Sequence, residues 1–152
     1  MVAEKLTEYL SDHEAKFKLI NHMPTYTAQE TAEVCHISGK ALIKSVVLKV
    51  DGKFIVWLQP ANHKVNLKAL CECLKAKNIE LASEREFQSL FPDAELGAMP
   101  PFGHLYNMDV YVEDVLAEQE NIAFNAGTHS DLIEMSYNDF ERLEHPKTVH
   151  LH

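Results

Sequence analysis

The chain has 152 residues, 46% of them hydrophobic and 24% charged, which is typical of one globular domain. Its 23 acidic and 14 basic residues give a net charge of −9, which argues against a broad grip on a DNA or RNA backbone but not against contact with a nucleic-acid end in a small pocket. No apolar run approaches the ~20 residues needed to cross a bilayer, and no signal peptide is legible at the start, so we expect a cytoplasmic protein without membrane or DNA partners.

The first part of the chain predicts two helices and three strands. The apolar residues Leu6, Tyr9 and Leu10 follow a helical spacing, and Thr27 with Glu30 forms a capping-box pattern. Asp51-Gly52 predicts a tight hairpin turn between two strands. The expected helices are Ala3–His13 and Thr27 to about His36, and the expected strands are Phe17–Ile20, Ala41–Val50 and Lys53–Gln59.

The rest of the chain predicts short helices alternating irregularly with short strands. Asn66 and Ser83 are suitable helix caps, and the segment 92–103 is a loop holding three of the six prolines. The tail from His145 is polar and is expected to be frayed. Helices are expected at Leu67–Lys77, Ser83 to Leu90 or Phe91, Asp114–Glu118 and Tyr137–Leu143, and strands at Ile79–Ala82, Met108–Val112, Ile122–Phe124 and Leu132–Met135. This pattern indicates an α+β or mixed α/β fold with a curved, largely antiparallel sheet.

The cysteines give no evidence of a metal site or a disulfide framework. Cys35, Cys71 and Cys73 are an odd, sparse set, which favours reduced thiols, and their spacing fits no common zinc pattern. The chain also lacks the Gly-rich loops of dinucleotide- and triphosphate-binding folds. We therefore predict no metal and no cofactor.

Lys44 is the first candidate for chemistry, because it stands near the start of the apolar run Val46-Val47-Leu48. An ammonium at the end of a buried strand can bind a phosphate or a developing oxyanion. The alternative is a lysine that extends to solvent at the rim of a sheet, and the local sequence favours that alternative.

The loop Gly97-Ala98-Met99-Pro100-Pro101-Phe102-Gly103 is the second candidate. Glycines can expose backbone groups to a ligand, and the adjacent prolines hold the loop in shape, so such a loop can orient a water or an α-amino group. A long structural connection is an equally good interpretation of the same residues.

The third candidate is the turn Asn125-Ala126-Gly127-Thr128-His129, between two strand-like segments. Its glycine allows close backbone approach to a ligand, and an imidazole can donate or accept a proton near neutral pH. Asp131 could orient His129 if the strand that follows is regular. An ordinary hairpin with a surface histidine accounts for the turn equally well.

Taken together, these three segments resemble the YbaK / prolyl-tRNA-synthetase-associated editing family, in which a lysine, a G-x-x-x-P loop and an A-G-T-H turn occur in the same order. The resemblance runs from about Leu6 to Leu143 and identifies the whole chain, 1–152, as a single YbaK-like aminoacyl-tRNA editing domain. It implies a mixed α/β fold around a curved, barrel-like sheet. It also implies a free-standing deacylase, a hydrolase that cleaves the ester of a mischarged tRNA, chiefly tRNA for proline.

The resemblance implies catalytic roles for Lys44, Gly97 and His129, with Lys44 at the tRNA end and the other two lining the aminoacyl pocket. It implies substrate contacts for the neighbouring residues Pro101, Phe102, Gly103, Gly127 and Thr128. Branches of the family that act on cysteinyl-tRNA lack the histidine, so this chain looks more like the branches that clear alanine or another small residue.

An aminoacyl ester is already activated, so a positioned water and stabilisation of the oxyanion suffice for metal-independent hydrolysis. The implied partner is the acceptor end of aminoacyl-tRNA. Selection of one tRNA would need an aminoacyl-tRNA synthetase, another basic partner, or a local basic rim formed by Lys40, Lys44, Lys64 and Lys68. The alternatives are a non-catalytic regulatory module that binds a small ligand or a tRNA end, and a hydrolase of another activated ester or amide, free of RNA.

Overall fold

The computed structural model describes residues 2–25 and 27–151, and the elements follow one another in short segments. The described residues form helices α1 (Val2–Asp12), α2 (Ala28–Cys35), α3 (Leu67–Cys73), α4 (Glu84–Leu90), α5 (Asp114–Ala117) and α6 (Tyr137–Glu144). The strands are β1 (Phe17–Asn21), β2 (Ile43–Val50), β3 (Lys53–Pro60), β4 (Ile79–Leu81), β5 (Asp109–Glu113), β6 (Asn121–Asn125), β7 (Asp131–Ser136) and β8 (Lys147–Val149), and a short 3-10 helix spans Gly103–Tyr106. No described helix has the length and apolar character needed to span a membrane.

The strands form two sheets, which confirms the α+β prediction. One sheet has the order β1-β7-β6 and is antiparallel; the other has the order β4-β2-β3-β5-β8, with parallel pairing between β3 and β5 and between β5 and β8. Within the described residues the sheets meet at a single bridge, between Leu42 and Ala123, and do not close into a barrel. The expectation of a barrel-like sheet is therefore not confirmed.

The core lies between the two sheets and under helices α1, α4 and α6. Val56 and Leu58 of β3 point into it, whereas Ile55 and Trp57 point to the opposite face, where Leu70 of α3 covers them. Both faces of β3 are thus buried, because its side chains alternate between the faces. β3 is therefore the central strand of the five-stranded sheet and is covered on both faces.

The local signals predicted the helix starts well. The Thr27 hydroxyl accepts a hydrogen bond from the Glu30 N–H at 3.1 Å, and Ser83 with Glu86 completes a full capping box. The helix after Asn66 ends at Cys73 rather than Lys77, because Lys75 adopts a left-handed conformation with φ of 53°.

The prediction of a frayed tail is wrong. Lys147–Val149 form β8, which pairs with β5 in parallel register, Tyr111 opposite Lys147. Val149 and Leu151 pack into the apolar cluster around Trp57. The tail is held by these contacts, so its polar composition did not indicate its structure.

Candidate active site

One cavity of about 270 Å³ brings together the three residues predicted to be catalytic. Lys44, Gly97 and His129 come from a strand, a loop and a turn that are far apart in the sequence. The cavity is lined by Thr27, Thr31, Leu42, Ile43, Lys44, Ser45, Gly97, Met99, Asn125 and His129. The tertiary fold, rather than any local pattern, creates this proximity.

Lys44 is the second residue of β2 and pairs with Gln59 across the β2–β3 hairpin. Its neighbour Ile43 is buried in the main core, whereas Lys44 is exposed, as strand alternation requires. No described carboxylate lies within ion-pair distance of the Lys44 ammonium. The ammonium is therefore available to an anion at the edge of the cavity.

The loop 92–103, here called the Gly97 loop, and the turn 125–129, here called the Gly127 turn, are joined by backbone hydrogen bonds. The Glu95 N–H donates to the carbonyl of Gly127, and the Gly127 N–H donates to the carbonyl of Ala98, both at 2.8 Å. Gly97 and Gly127 have φ values of 79° and 99°, a region that glycine adopts without steric cost. The glycines therefore let the two segments lie side by side.

His129 is held by the same loop. Its backbone N–H donates to Glu95 Oε1 at 2.7 Å, and its ring Nε2 lies 2.8 Å from the carbonyl oxygen of Leu96. A carbonyl oxygen only accepts, so Nε2 carries a proton, and in the neutral ring Nδ1 is the acceptor. The loop thus fixes both the orientation and the tautomer of the imidazole.

Asp131 does not orient His129 in this structure. Its carboxylate accepts from the Thr128 hydroxyl at 2.8 Å and from the Asn21 amide at 3.0 Å. The Thr128 hydroxyl also accepts from the backbone N–H groups of Ser130 and Asp131, which shapes the turn. Thr128 is therefore engaged within the turn, and its contact with substrate stays a prediction.

Pro101, Phe102 and Gly103 are buried, and they are not among the described residues that line the cavity. The Phe102 ring packs edge-on against Phe124 and Phe140 in the core, with centroids 5.8 and 5.3 Å away. A Cβ at Gly103 would lie 2.6 Å from a Val110 methyl group, so this glycine is required by close packing. These residues support the loop from within the core, and contact between them and a substrate stays a prediction.

Several residues of the site were given no role of their own from the sequence, although Asn125 begins the candidate turn. Thr31 is buried, its hydroxyl 2.6 Å from that of Thr25 and 3.0 Å from the carbonyl of Thr27, to which it donates. Glu95 fixes the His129 backbone, and Asn125 ends β6 on the wall of the cavity. For Thr31, the available signal in the sequence was a polar residue at helical spacing from the small residues Ala28, Ala32 and Cys35.

No cluster of three or more histidine, cysteine, aspartate or glutamate residues that could hold a metal is found within 2–25 and 27–151.

Away from the cavity, Tyr9, His104 and Glu144 form a chain of hydrogen bonds that links α1 to α6. Burial raises the pKa of Glu144, although its contacts with His104 oppose that shift.

The chain is similar to proteins of one known family. Residues 22–143 match the model of a family described as the aminoacyl-tRNA editing domain. Proline–tRNA ligase of Bacillus subtilis is 32% identical over 126 residues, covering 80% of this chain and 22% of the ligase. The Staphylococcus saprophyticus ligase is 35% identical over 104 residues, covering 66% and 18%. The chain therefore spans about a fifth of the length of the curated relatives it matches.

Solved structures show the same fold at low sequence identity. A candidate trans-editing enzyme for prolyl-tRNA synthetase superposes with a TM-score of 0.82 at 18% identity, covering 97% of this chain and 94% of that one. The hypothetical protein APE2540 superposes with a TM-score of 0.84 at 19% identity, covering 95% and 98%.

Proposed function

Because the chain belongs to the aminoacyl-tRNA editing domain family, we propose that it hydrolyses the ester that joins a wrongly attached amino acid to tRNA. The observation that supports this most strongly is the meeting of Lys44, Gly97 and His129 in one cavity. The matched relatives are proline–tRNA ligases, so tRNA for proline is the proposed substrate.

The cavity favours a small amino acid. Its volume of about 270 Å³ lies at the lower end of ligand pockets, and Leu42, Ile43 and Met99 supply an apolar part of its wall. No carboxylate is among the described residues that line it, so nothing there would neutralise a basic side chain. A short, uncharged residue such as alanine matches both features.

In the proposed mechanism a water oxygen attacks the ester carbonyl carbon, the bond to the ribose oxygen breaks, and that oxygen takes up a proton. Lys44, exposed at the edge of the cavity, binds the ester, where it stabilises the developing oxyanion, or the terminal phosphate of the tRNA. The Gly97 segment orients the water. The backbone N–H and carbonyl of Gly127 both form hydrogen bonds with the Gly97 loop, so the role of Gly127 is to hold that loop in place.

His129 contributes through the fixed orientation of its ring. With Nε2 donating to Leu96, the imidazole is positioned to orient the substrate or to assist proton transfer from the attacking water. The ester is already activated, so positioning and stabilisation of the oxyanion provide the catalysis without a metal. Exhaustive chelation is expected to leave the rate unchanged, and a loss restored by zinc would contradict this part of the proposal.

The net charge of −9 limits the proposed tRNA contact to the acceptor end. An aminoacyl-tRNA synthetase or another basic partner would then supply the remaining selection of tRNA. We expect the rate to depend weakly on salt, because few phosphates are neutralised.

A panel of mischarged tRNAs tests the proposal. Release of amino acid under single-turnover conditions should be fastest for a small residue on tRNA for proline, and unacylated tRNA should inhibit it. Binding without release across the panel would instead indicate a non-catalytic module. Release that unacylated tRNA does not inhibit would indicate a hydrolase of esters unrelated to RNA.

A further inference from the structure

Asn125 places an unsatisfied amide on the wall of the cavity. It is the last residue of β6, between the buried residues Phe124 and Ala126. Its Oδ1 atom is buried and has no hydrogen-bond partner in the described part of the chain. Buried amide oxygens in native proteins nearly always accept a hydrogen bond, so this one calls for a donor from outside the described chain.

Among the polar residues of the cavity, Thr27, Thr31 and His129 already have partners within the protein, whereas Lys44 and Ser45 have no described side-chain hydrogen bond. Thr31 donates to the carbonyl of Thr27, whose hydroxyl in turn donates to Glu30 Oε1. The ring Nε2 of His129 donates to Leu96. Asn125 differs from these three residues, because neither its side-chain oxygen nor its side-chain nitrogen forms a hydrogen bond with the described residues.

The α-ammonium of an aminoacyl ester needs an acceptor when it enters this cavity. The described lining holds no carboxylate, so the acceptor has to be a neutral oxygen. A side-chain amide oxygen is well suited, because its dipole is large and a charged donor forms the stronger kind of hydrogen bond.

We propose that Asn125 Oδ1 accepts a hydrogen bond from the α-ammonium of the bound amino acid, an inference that rests on the proposed deacylase function. This contact makes Asn125 a substrate-binding residue that recognises the amino group rather than the side chain. It also sets the ester carbonyl in one orientation relative to the water.

The test compares two esters of the same tRNA for proline under single-turnover conditions. Alanyl-tRNA carries the α-ammonium, and propionyl-tRNA has the same carbon skeleton without it. After subtraction of spontaneous hydrolysis, Asn125→Ala should slow the alanyl ester by about 10- to 100-fold, the range for a hydrogen bond to a charged group. The propionyl ester should change by no more than about twofold, because its contacts do not involve the amide.

Two further variants complete the design. Asn125→Asp keeps an acceptor and should retain the preference for the alanyl ester. This variant also provides the test of the proposal if Asn125→Ala does not fold. Asn121, exposed at the start of the same strand, provides the matched control, and Asn121→Ala should leave both rates unchanged.

Equal slowing of both esters by Asn125→Ala, with an unchanged unfolding temperature, would overturn the assignment of Asn125 and leave the deacylase proposal standing. Loss of the preference in Asn125→Asp would overturn it too. A wild-type chain that hydrolyses neither ester would overturn the proposed function itself, and this inference with it.

Discussion

Replacing Gly97 with alanine tests whether the backbone of the loop is part of the site. Gly97 has a φ of 79°, and among the described residues beyond its chain neighbours an added Cβ would meet only Cε1 of His129, at 4.0 Å. The space therefore accommodates a methyl group, and the cost of the substitution is in the backbone. Relaxation of that backbone would move the neighbouring Leu96 carbonyl, which holds the His129 ring.

The magnitude follows from the conformation. Left-handed backbone costs an L-residue about 1–2 kcal/mol, which corresponds to an unfolding temperature lower by about 2–8 °C in a chain of this length. Gly52 provides a matched control, because its φ is 87° and no atom of the described residues beyond its chain neighbours lies within 4 Å of an added Cβ. Gly52→Ala should therefore lose comparable stability.

The assay measures single-turnover deacylation and thermal unfolding for both variants. We expect Gly97→Ala to lose about 10- to 100-fold in rate, since small misplacements of catalytic groups have effects up to that size. Gly52→Ala should keep the wild-type rate well below its unfolding temperature. Equal rates for Gly97→Ala and wild type, with the expected loss of stability, would refute the role of the loop.

Three further predictions concern contacts around the core and the loop. Glu95→Ala removes the acceptor for the His129 N–H and should slow deacylation about 10-fold, whereas Glu95→Gln, which keeps an acceptor, should slow it less. Burial raises the pKa of Tyr137 to about 12, above its usual 10.0, so its contribution to stability is lost as pH rises through that interval. Urea unfolding at alkaline pH should show this decline, and Tyr137→Phe should reduce it; equal declines would contradict it. Burial likewise raises the pKa of Glu144 above 4.5, so stability should fall as pH rises through that value, and Glu144→Gln should flatten the profile measured in urea.

Local structure was predictable where one or two residues decide the backbone. Asp51 and Gly52 have φ values of 49° and 87°, as the predicted two-residue hairpin requires. The caps at Ser83 and Asn66 likewise depend on side chains within three residues. The strand at Lys147–Val149 was missed because its partner, β5, lies more than thirty residues away and no periodic pattern fits in three residues.

The residues of the site likewise fall into those that sequence motifs identified and those that only the fold revealed. Lys44, Gly97 and His129 were identifiable because their motifs occur in a recognisable order, and the structure places all three at one cavity. The roles of Asn125 and Glu95 depend on the fold, which leaves the buried Asn125 Oδ1 without a described partner and brings Glu95 to the His129 N–H. Phe102 and Gly103 belong to the same loop motif, yet their packing in the core shows that a motif can also hold structural residues.

Single-turnover hydrolysis of alanyl-tRNA for proline by wild type and Lys44→Ala tests the central claim most directly. The proposal predicts hydrolysis by wild type and a loss of about 10²–10³-fold in the variant, the usual cost of one electrostatic contact in a transition state. Lys77→Ala provides the control: Lys77 lies between α3 and β4, its N–H bonds to Asp51 just beyond the far end of β2, and this variant should match wild type. Full activity of Lys44→Ala, or no hydrolysis by wild type, would contradict the proposal.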